Sequence, residues 1–314
     1  MTALLLLSCG KEDDASLNQL NSGDPVVTAD VKEVTISSAL LYGYVNTEYL
    51  LLGGECGFIV STSSTPSLDN GLKVVSSEVD KNGKFFVQVN GLLSSTKYYY
   101  KAFLNTGTTN LVGEIRSFTT NAFEFAAIDM GLSVKWANAN LGAGGPEGYG
   151  DYYAWGETET KDSYSWETYK WCNGDYNKLT KYNNNNSFGV VDNKTVLAPE
   201  DDVAHVKLGG NWRMPTDEEW KELIDNCTWT KKTQNGIKGL TITSNKNGKS
   251  IFLPAAGYRN EARLSSAGSC GYYWSSSLDT GTPDSAWGVD FNTDSVYRDD
   301  YYRCYGRSVR PVTE

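Results

Sequence analysis

Between residues 26 and 120 the chain is cut into short runs of alternating apolar and polar residues, each closed by a turn signal. Runs at 31–36, 40–45, 57–61, 85–89, 97–103 and 115–120 are rich in Val, Ile, Tyr, Phe and Thr. Lys81-Asn82-Gly83-Lys84 supplies one of the turns between them. A strand that is apolar on one side only must bury that side against a second layer, so residues 25–121 are expected to form a β-sandwich. A chain of 314 residues is long enough for a second core. Residues 10–24 are polar and aperiodic and read as a flexible tether.

Within the first domain, Gly91-Leu92-Leu93-Ser94-Ser95-Thr96-Lys97-Tyr98-Tyr99-Tyr100-Lys101-Ala102 resembles the segment of fibronectin type III modules that leads into their penultimate strand. Ser117-Phe118-Thr119-Thr120 resembles their closing strand. The resemblance implies a spacer with a buried Leu and Tyr at the sandwich corner and no ligand of its own.

Residues 122–314 form the second expected domain. Residues 129–137 alternate and are expected to open it as a strand, with 150–157 following. The most diagnostic stretch is Arg213-Met214-Pro215-Thr216-Asp217-Glu218-Glu219-Trp220. Thr216 and Glu219 form a capping box, and Trp220, Leu223 and Ile224 give the apolar stripe of a short helix. This stretch resembles the Arg-x-Pro-Thr-x-x-Glu-Trp segment of the C-type-lectin-like fold, in the branch that includes formylglycine-generating enzymes. The runs 251–259, 273–277 and 307–312 are similar to the strands that follow it in bacterial members. The resemblance therefore implies a β-sandwich followed by an α+β C-type-lectin-like domain. That fold hosts catalysis, sugar binding and protein binding alike, so it leaves function open.

Composition narrows the choice. The formal net charge of -10, with no basic cluster, argues against nucleic acid as a partner. The single histidine, His205, lies in a segment that Pro199 introduces as a short helix, where a packed side chain is expected rather than a catalytic one. No metal-ligand spacing occurs, and the calcium-loop motifs of sugar-binding lectins are absent, so neither metal nor cofactor is expected. Oxidases of this fold depend on a cysteine pair. Cys270 and Cys304 fall in the right region without a surrounding motif, so the oxidase reading is the alternative to a non-catalytic binder.

The chain opens with an apolar run closing on Leu7-Ser8-Cys9-Gly10, followed by Lys11-Glu12-Asp13-Asp14. It resembles a bacterial lipoprotein signal, with Cys9 the lipidated residue and an acidic patch like the surface-export signal of some gram-negative lipoproteins. The run is short and has no basic n-region, as a start lying further upstream would leave it. The resemblance implies a lipid-anchored protein on the outer membrane surface. Disulfides are permitted there, and five further cysteines leave at least one unpaired. Cys172–Cys227 and Cys270–Cys304 are the bridges to be tested.

Function is expected in the tail. Residues 264–313 contain no Lys, Glu, Gln or Met, yet Tyr297, Asp299, Asp300, Tyr301, Tyr302, Cys304 and Tyr305 crowd together. Tyr offers rigid amphipathic contact area, and small polar residues offer adaptable hydrogen bonds. Alternation puts Trp287, Val289 and Phe291 on one strand face and Gly288, Asp290 and Asn292 on the other. Trp274, Trp287, Phe291, Val296 and Val309 are expected to anchor the core. The expected ligand face comprises Tyr272, Tyr273, Asp279, Thr280, Thr282, Asp284, Ser285, Gly288, Asp290, Asp294, Tyr297, Asp299, Asp300, Tyr301, Tyr302, Cys304 and Tyr305. This tail resembles the variable proteins of diversity-generating retroelements, whose lectin-like face is rewritten at template adenines, commonly in AAC codons. Codons with any first two bases and a fixed final C encode Tyr, Asp, Ser, Cys and Gly but never Lys, Glu, Gln, Met or Trp. The resemblance implies a surface-displayed binder of a protein or glycan on another cell or host surface. A Tyr-rich strand face on an undiversified glycan-binding module is the plainer alternative.

Overall fold

The computed structural model describes residues 23–52, 54–292 and 295–314. Cys9 and most of the tether at 1–24, and likewise Asp294, lie outside the described residues. The chain divides into two compact units, the first ending at Phe123 and the second running from Glu124 to Glu314.

The first unit is a β-sandwich. One sheet pairs β1 (Val26–Thr28), β2 (Ser38–Val45) and β5 (Lys84–Asn90). The other orders β4 (Leu72–Val75), β3 (Glu55–Ser61), β6 (Lys97–Asn105) and β7 (Asn110–Val112), with β8 (Arg116–Thr119) also on β6. Period-two alternation builds the core: Ala39, Leu41 and Val45 from β2 meet Phe58 and Val60 from β3 and Tyr100, Ala102 and Leu104 from β6. At the corner, Leu92 and Tyr98 are buried, and the Tyr98 hydroxyl accepts the Leu93 N–H at 2.9 Å. The expected strand at 31–36 is reduced to one bridge, Lys32 to Leu40. Glu33 turns to φ 52, and Thr35 Oγ1 accepts the Ser38 N–H at 2.9 Å, so side-chain bonding makes a tight turn instead.

The second unit opens with a hairpin rather than the expected single strand. β9 (Ala127–Ile128) and β10 (Lys135–Ala137) pair antiparallel, and Asp129 Oδ1 accepts the Gly131 N–H at 2.8 Å to make the turn between them. β19 (Val312–Thr313) pairs with β10 on its other side. The stretch 150–157 forms no strand; a single bridge joins Tyr153 to Arg307. The helix expected from Pro199 is a 3-10 turn, Pro199–Asp201, and the α-helix Val203–Leu208 starts only after Asp202 caps it through the Ala204 and His205 N–H groups. His205 is half-buried with Nδ1 3.2 Å from the Trp212 carbonyl.

The capping-box helix, Asp217–Asn226, forms as expected. Thr216 Oγ1 accepts the Glu219 N–H at 3.2 Å, and Glu219 accepts the Thr216 N–H at 2.8 Å. Arg213 grips the same carboxylate with both Nη atoms, at 2.8 and 2.6 Å. Its buried Trp220 and Leu223 join Trp136, Ile242, Leu253, Tyr273, Val289 and Phe291 in the main core. Three-stranded sheets follow: β11 (Cys227–Gln234), β12 (Ile237–Ser244) and β13 (Ser250–Pro254), then β16 (Gly271–Leu278), β17 (Ser285–Phe291) and β18 (Val296–Tyr302). Between them lies the short hairpin of β14 (Tyr258–Asn260) and β15 (Arg263–Ser265). Among the described residues, no helix is long and apolar enough to cross a membrane.

Candidate ligand-binding face

Register decides which tail residues can meet. Tyr272 lies opposite Asp290, which lies opposite Tyr297; Trp274 lies opposite Gly288, then Asp299. One face of the sheet therefore carries Tyr272, Trp274, Gly288, Asp290, Tyr297, Asp299 and Tyr301. The other carries Tyr273, Val289 and Phe291 into the main core. Trp287 sits there only half-buried, with the Arg298 guanidinium 5.8 Å from its ring centre.

The first face is organised around Arg307. Its guanidinium lies 3.4 Å from the ring centre of Tyr301, 4.7 Å from Trp274 and 5.1 Å from Tyr272. Burial pushes its pKa down to about 10. The Tyr301 hydroxyl donates to Asp290, which burial holds above the usual carboxylate range against the pull of Tyr301 and Arg307. Tyr301 is thus half-buried and fixed at both ends. Tyr297 and Tyr302 are the open ones, at 49 and 48% exposure. Tyr302 stands 5.8 Å from Tyr305 between ring centres, and Tyr305 stands 5.7 Å from Tyr258.

Five expected face residues are placed inside instead. Tyr273 is fully buried and donates to the Pro254 carbonyl at 2.7 Å, because its neighbour Tyr272 takes the outward position of the pleat. Cys304 is buried among Tyr152, Tyr164, Tyr169 and Cys172, and burial pushes its thiol up to about 12. Asp284 and Ser285 are buried where the β16–β17 turn folds back, and burial raises the Asp284 carboxyl. Gly288 is buried with the Tyr273 carbonyl packed so closely on it that a Cβ would lie 2.6 Å away.

Asp279, Thr280 and Thr282 lie together in the turn between β16 and β17. Asp279 spends its carboxylate on that turn, accepting the Gly281 and Thr282 N–H groups at 2.9 and 3.1 Å. Asp300 lies opposite Trp287, off the Tyr272 face. Val296 is partly buried, while Trp274, Phe291 and Val309 hold the core positions expected of them. All five described cysteines are unpaired, so neither Cys172–Cys227 nor Cys270–Cys304 is bridged. Cys172 and Cys227 belong to separate core clusters. No group of three or more His, Cys, Asp or Glu positioned to hold a metal occurs among the described residues.

Sequence reasoning missed Arg307, Tyr258, Trp166 and Tyr176. The available signal was the density of aromatics in 164–182, where Tyr164, Trp166, Tyr169, Trp171, Tyr176 and Tyr182 follow one another.

Residues 223–312 match a family described as Domain of unknown function (DUF8237). No curated protein matches the chain. A sensor domain of the anti-sigma factor RsgI4 in Pseudobacteroides cellulosolvens is similar at 19% identity over 32% of this chain and 93% of that one, with a TM-score of 0.26. A fibronectin type III domain derived from human KIAA0970 protein is similar at 15% identity over 37% of this chain and 88% of that one, with a TM-score of 0.26. A DUF4784 family protein from Bacteroides caccae is similar at 8% identity over 88% of this chain and 51% of that one, with a TM-score of 0.24.

Proposed function

We propose that the chain is a surface-displayed, non-catalytic binding protein. In this reading the chain is lipid-anchored to an outer membrane through Cys9 and carries a fibronectin type III-like spacer followed by a C-type-lectin-like binding unit. The ligand is a protein or glycan on another cell or host surface. The observation that carries the reading is the set of exposed and half-buried tyrosines around this sheet: Tyr272 and Tyr301 against Arg307, Tyr297 open at one end of β18, and Tyr302 open at the other end beside Tyr305. Rigid aromatic anchors of this kind dominate binding energy at interfaces. The oxidase alternative is less well supported, because Cys304 is 2% exposed and burial keeps it a protonated thiol.

Cells displaying the chain, challenged with a panel of extracellular proteins and glycans, test the proposal. The double substitution Tyr297→Ala and Tyr302→Ala should abolish adhesion to the ligand found while leaving the melting temperature unchanged. Equal adhesion by both forms would place the binding site elsewhere. Diversification has a separate test in the gene: codons of the open positions ending in C, a near-identical template copy and a neighbouring reverse transcriptase. Mixed third bases would leave an undiversified module. Loss of membrane partitioning in Cys9→Ala tests the anchor.

A further inference from the structure

We propose that the ligand of this face is a neutral, hydroxyl-rich glycan chain. Its track leaves the C-terminal strands and continues over Trp166 and Tyr176. The inference rests on the binding-face reading above and adds the ligand class and a second half to the site.

Six side chains from separate parts of the sequence form one continuous line of rings. Centre-to-centre steps run 4.9 Å from Tyr272 to Tyr258, 5.7 Å to Tyr305, 5.8 Å to Tyr302, 6.0 Å to Trp166 and 6.5 Å to Tyr176. None of the six is buried, and the two at 302 and 176 are each 48% exposed. A core cluster would close over such rings. These stay at the surface, each with an apolar body and, except for Trp166, a hydroxyl tip. An extended ligand with apolar C–H faces and many hydroxyls matches a line of that kind, because each ring takes one face while the hydroxyls turn outward to polar partners.

The polar partners favour a neutral chain. Asp290 and Asp299 stand on the Tyr272 face, where Asp290 accepts from the Tyr301 hydroxyl and Asp299 from the Asp300 N–H, leaving further carboxylate lone pairs on each. Carboxylates accept from hydroxyls and repel uronates, sulfates and phosphates. Arg307 supplies the donors. Three arginines are fully buried in the last twelve residues, and two are saturated. Arg303 donates to Tyr169, Tyr182 and Pro283 at 2.8–2.9 Å, and Arg310 donates to Asn140, Ala137 and Phe252 at 2.7–3.0 Å. Arg307 Nε and Nη1 find no acceptor among the described residues, although they lie directly under Tyr301 in the middle of the face. Buried donors are rarely left unpaired, so an orphaned pair beneath a binding face marks where an added oxygen is best accommodated, at the cost of exchanging the Tyr301–Asp290 hydrogen bond for bonds to the ligand. A hydroxyl or acetamido oxygen of a sugar meets that need and leaves its own O–H groups for Asp290 and Asp299.

The test uses the full chain in affinity electrophoresis and calorimetry. The probes are neutral polysaccharides (mannan, xyloglucan, laminarin) and acidic ones (polygalacturonate, alginate), with hexa- and disaccharide fragments of any polymer that binds. At least one neutral polymer should bind, its hexasaccharide more tightly than its disaccharide, and the acidic polymers should not. Tyr176→Ala and Trp166→Ala should each weaken binding about tenfold, and Trp166→Phe should restore most of it. Because Tyr176 is so exposed, its variant answers even where Trp166→Ala unfolds. Binding of acidic polymers as strong as neutral ones, or neutral binding indifferent to both substitutions, overturns the inference. If no neutral polymer binds while a protein ligand does, and that binding needs Tyr297 and Tyr302, the glycan class is wrong and the binding face stands.

Discussion

Replacing Arg310 and Arg307 in turn with Met removes the same guanidinium from two sites of equal burial, yet the structure gives the two losses very different sizes. Arg310 donates at 3.0, 3.0 and 2.7 Å to Asn140 Oδ1 and the carbonyls of Ala137 and Phe252, three acceptors from two segments far apart in the chain. Arg310→Met leaves all three buried without a donor, and breaking a buried charged arrangement of this kind costs about 3–5 kcal/mol. In a unit of this size each kcal/mol moves the melting temperature by about 2–4 °C, so a fall of about 6–20 °C is expected. Arg307→Met loses stacking on Tyr301, Trp274 and Tyr272, about 0.5–2 kcal/mol in all. It also removes two unpaired donors that cost about 1–3 kcal/mol each. The relief equals or exceeds the loss, so the melting temperature should not fall below that of the parent. The assay is direct, since all nine Trp lie beyond residue 123 and Trp fluorescence therefore reads the second unit alone. Equal destabilisation by the two substitutions would refute the reasoning, because it would mean that Arg307 is as well satisfied as Arg310.

Three further outcomes follow from single sites. Burial pushes the Glu219 carboxyl up, but Arg213 and the Thr216 N–H outweigh it and hold the pKa below its usual value. Its stabilisation is therefore complete above the unfolded pKa, and it is lost as pH falls through the folded one. Glu219→Gln should flatten the acid limb of the stability profile below about pH 4.5, and Thr216→Ala should cost about 1 kcal/mol by chemical denaturation. Gly257→Ala should destabilise far more than Gly236→Ala: both have positive φ, but a Cβ at 257 meets the Ser265 carbonyl at 2.2 Å while one at 236 meets nothing within 4 Å. The second should cost about 1–2 kcal/mol, and similar losses at both sites would be the contrary result. In the native chain a maleimide at neutral pH should modify Cys270 and leave Cys56, Cys172, Cys227 and Cys304 unmodified, as mass spectrometry would show; labelling of Cys304 would reopen the thiol-based alternative.

Local patterns were legible where the signal and its partner lie close in sequence. The capping box from Thr216 to Glu219 and the alternation of Leu40, Phe58 and Phe85 neighbourhoods need only a few residues of context, and both translate into the observed helix and sandwich. Asn235-Gly236 was equally available: both residues take positive φ, 48 and 82°, and close the β11–β12 hairpin that the sequence reading passed over. Tyr273 could have been assigned too. Val289 and Phe291 were read as core, and Tyr273 lies opposite Val289, so only the pairing of β16 with β17 was missing. The buried arginines were not legible by any local rule. An Arg in a Tyr- and Asp-rich tail reads as surface, and its burial depends on carbonyls contributed by residues more than fifty positions away.

The unusual composition of the tail has two layers with different physical causes. One layer is rigid: Arg303, Arg307, Arg310, Tyr273, Trp274 and Cys304 are buried and fixed by packing, and any change there is felt across the whole unit. The other layer is β18, an edge strand of the β16–β17–β18 sheet, on which Tyr297, Arg298 and Asp299 project into solvent. Substitution at exposed positions generally changes stability by less than about 0.5 kcal/mol, so this strand can vary while the layer beneath does not. An exposed edge also invites pairing with another chain, and charge is the usual guard against it. Lys is absent here, and Asp299 and Asp300 take that role on the strand's two faces. The acidic residues thus serve solubility on their own account, so the exposed tyrosines are the part of the tail on which the proposed binding role has to be tested.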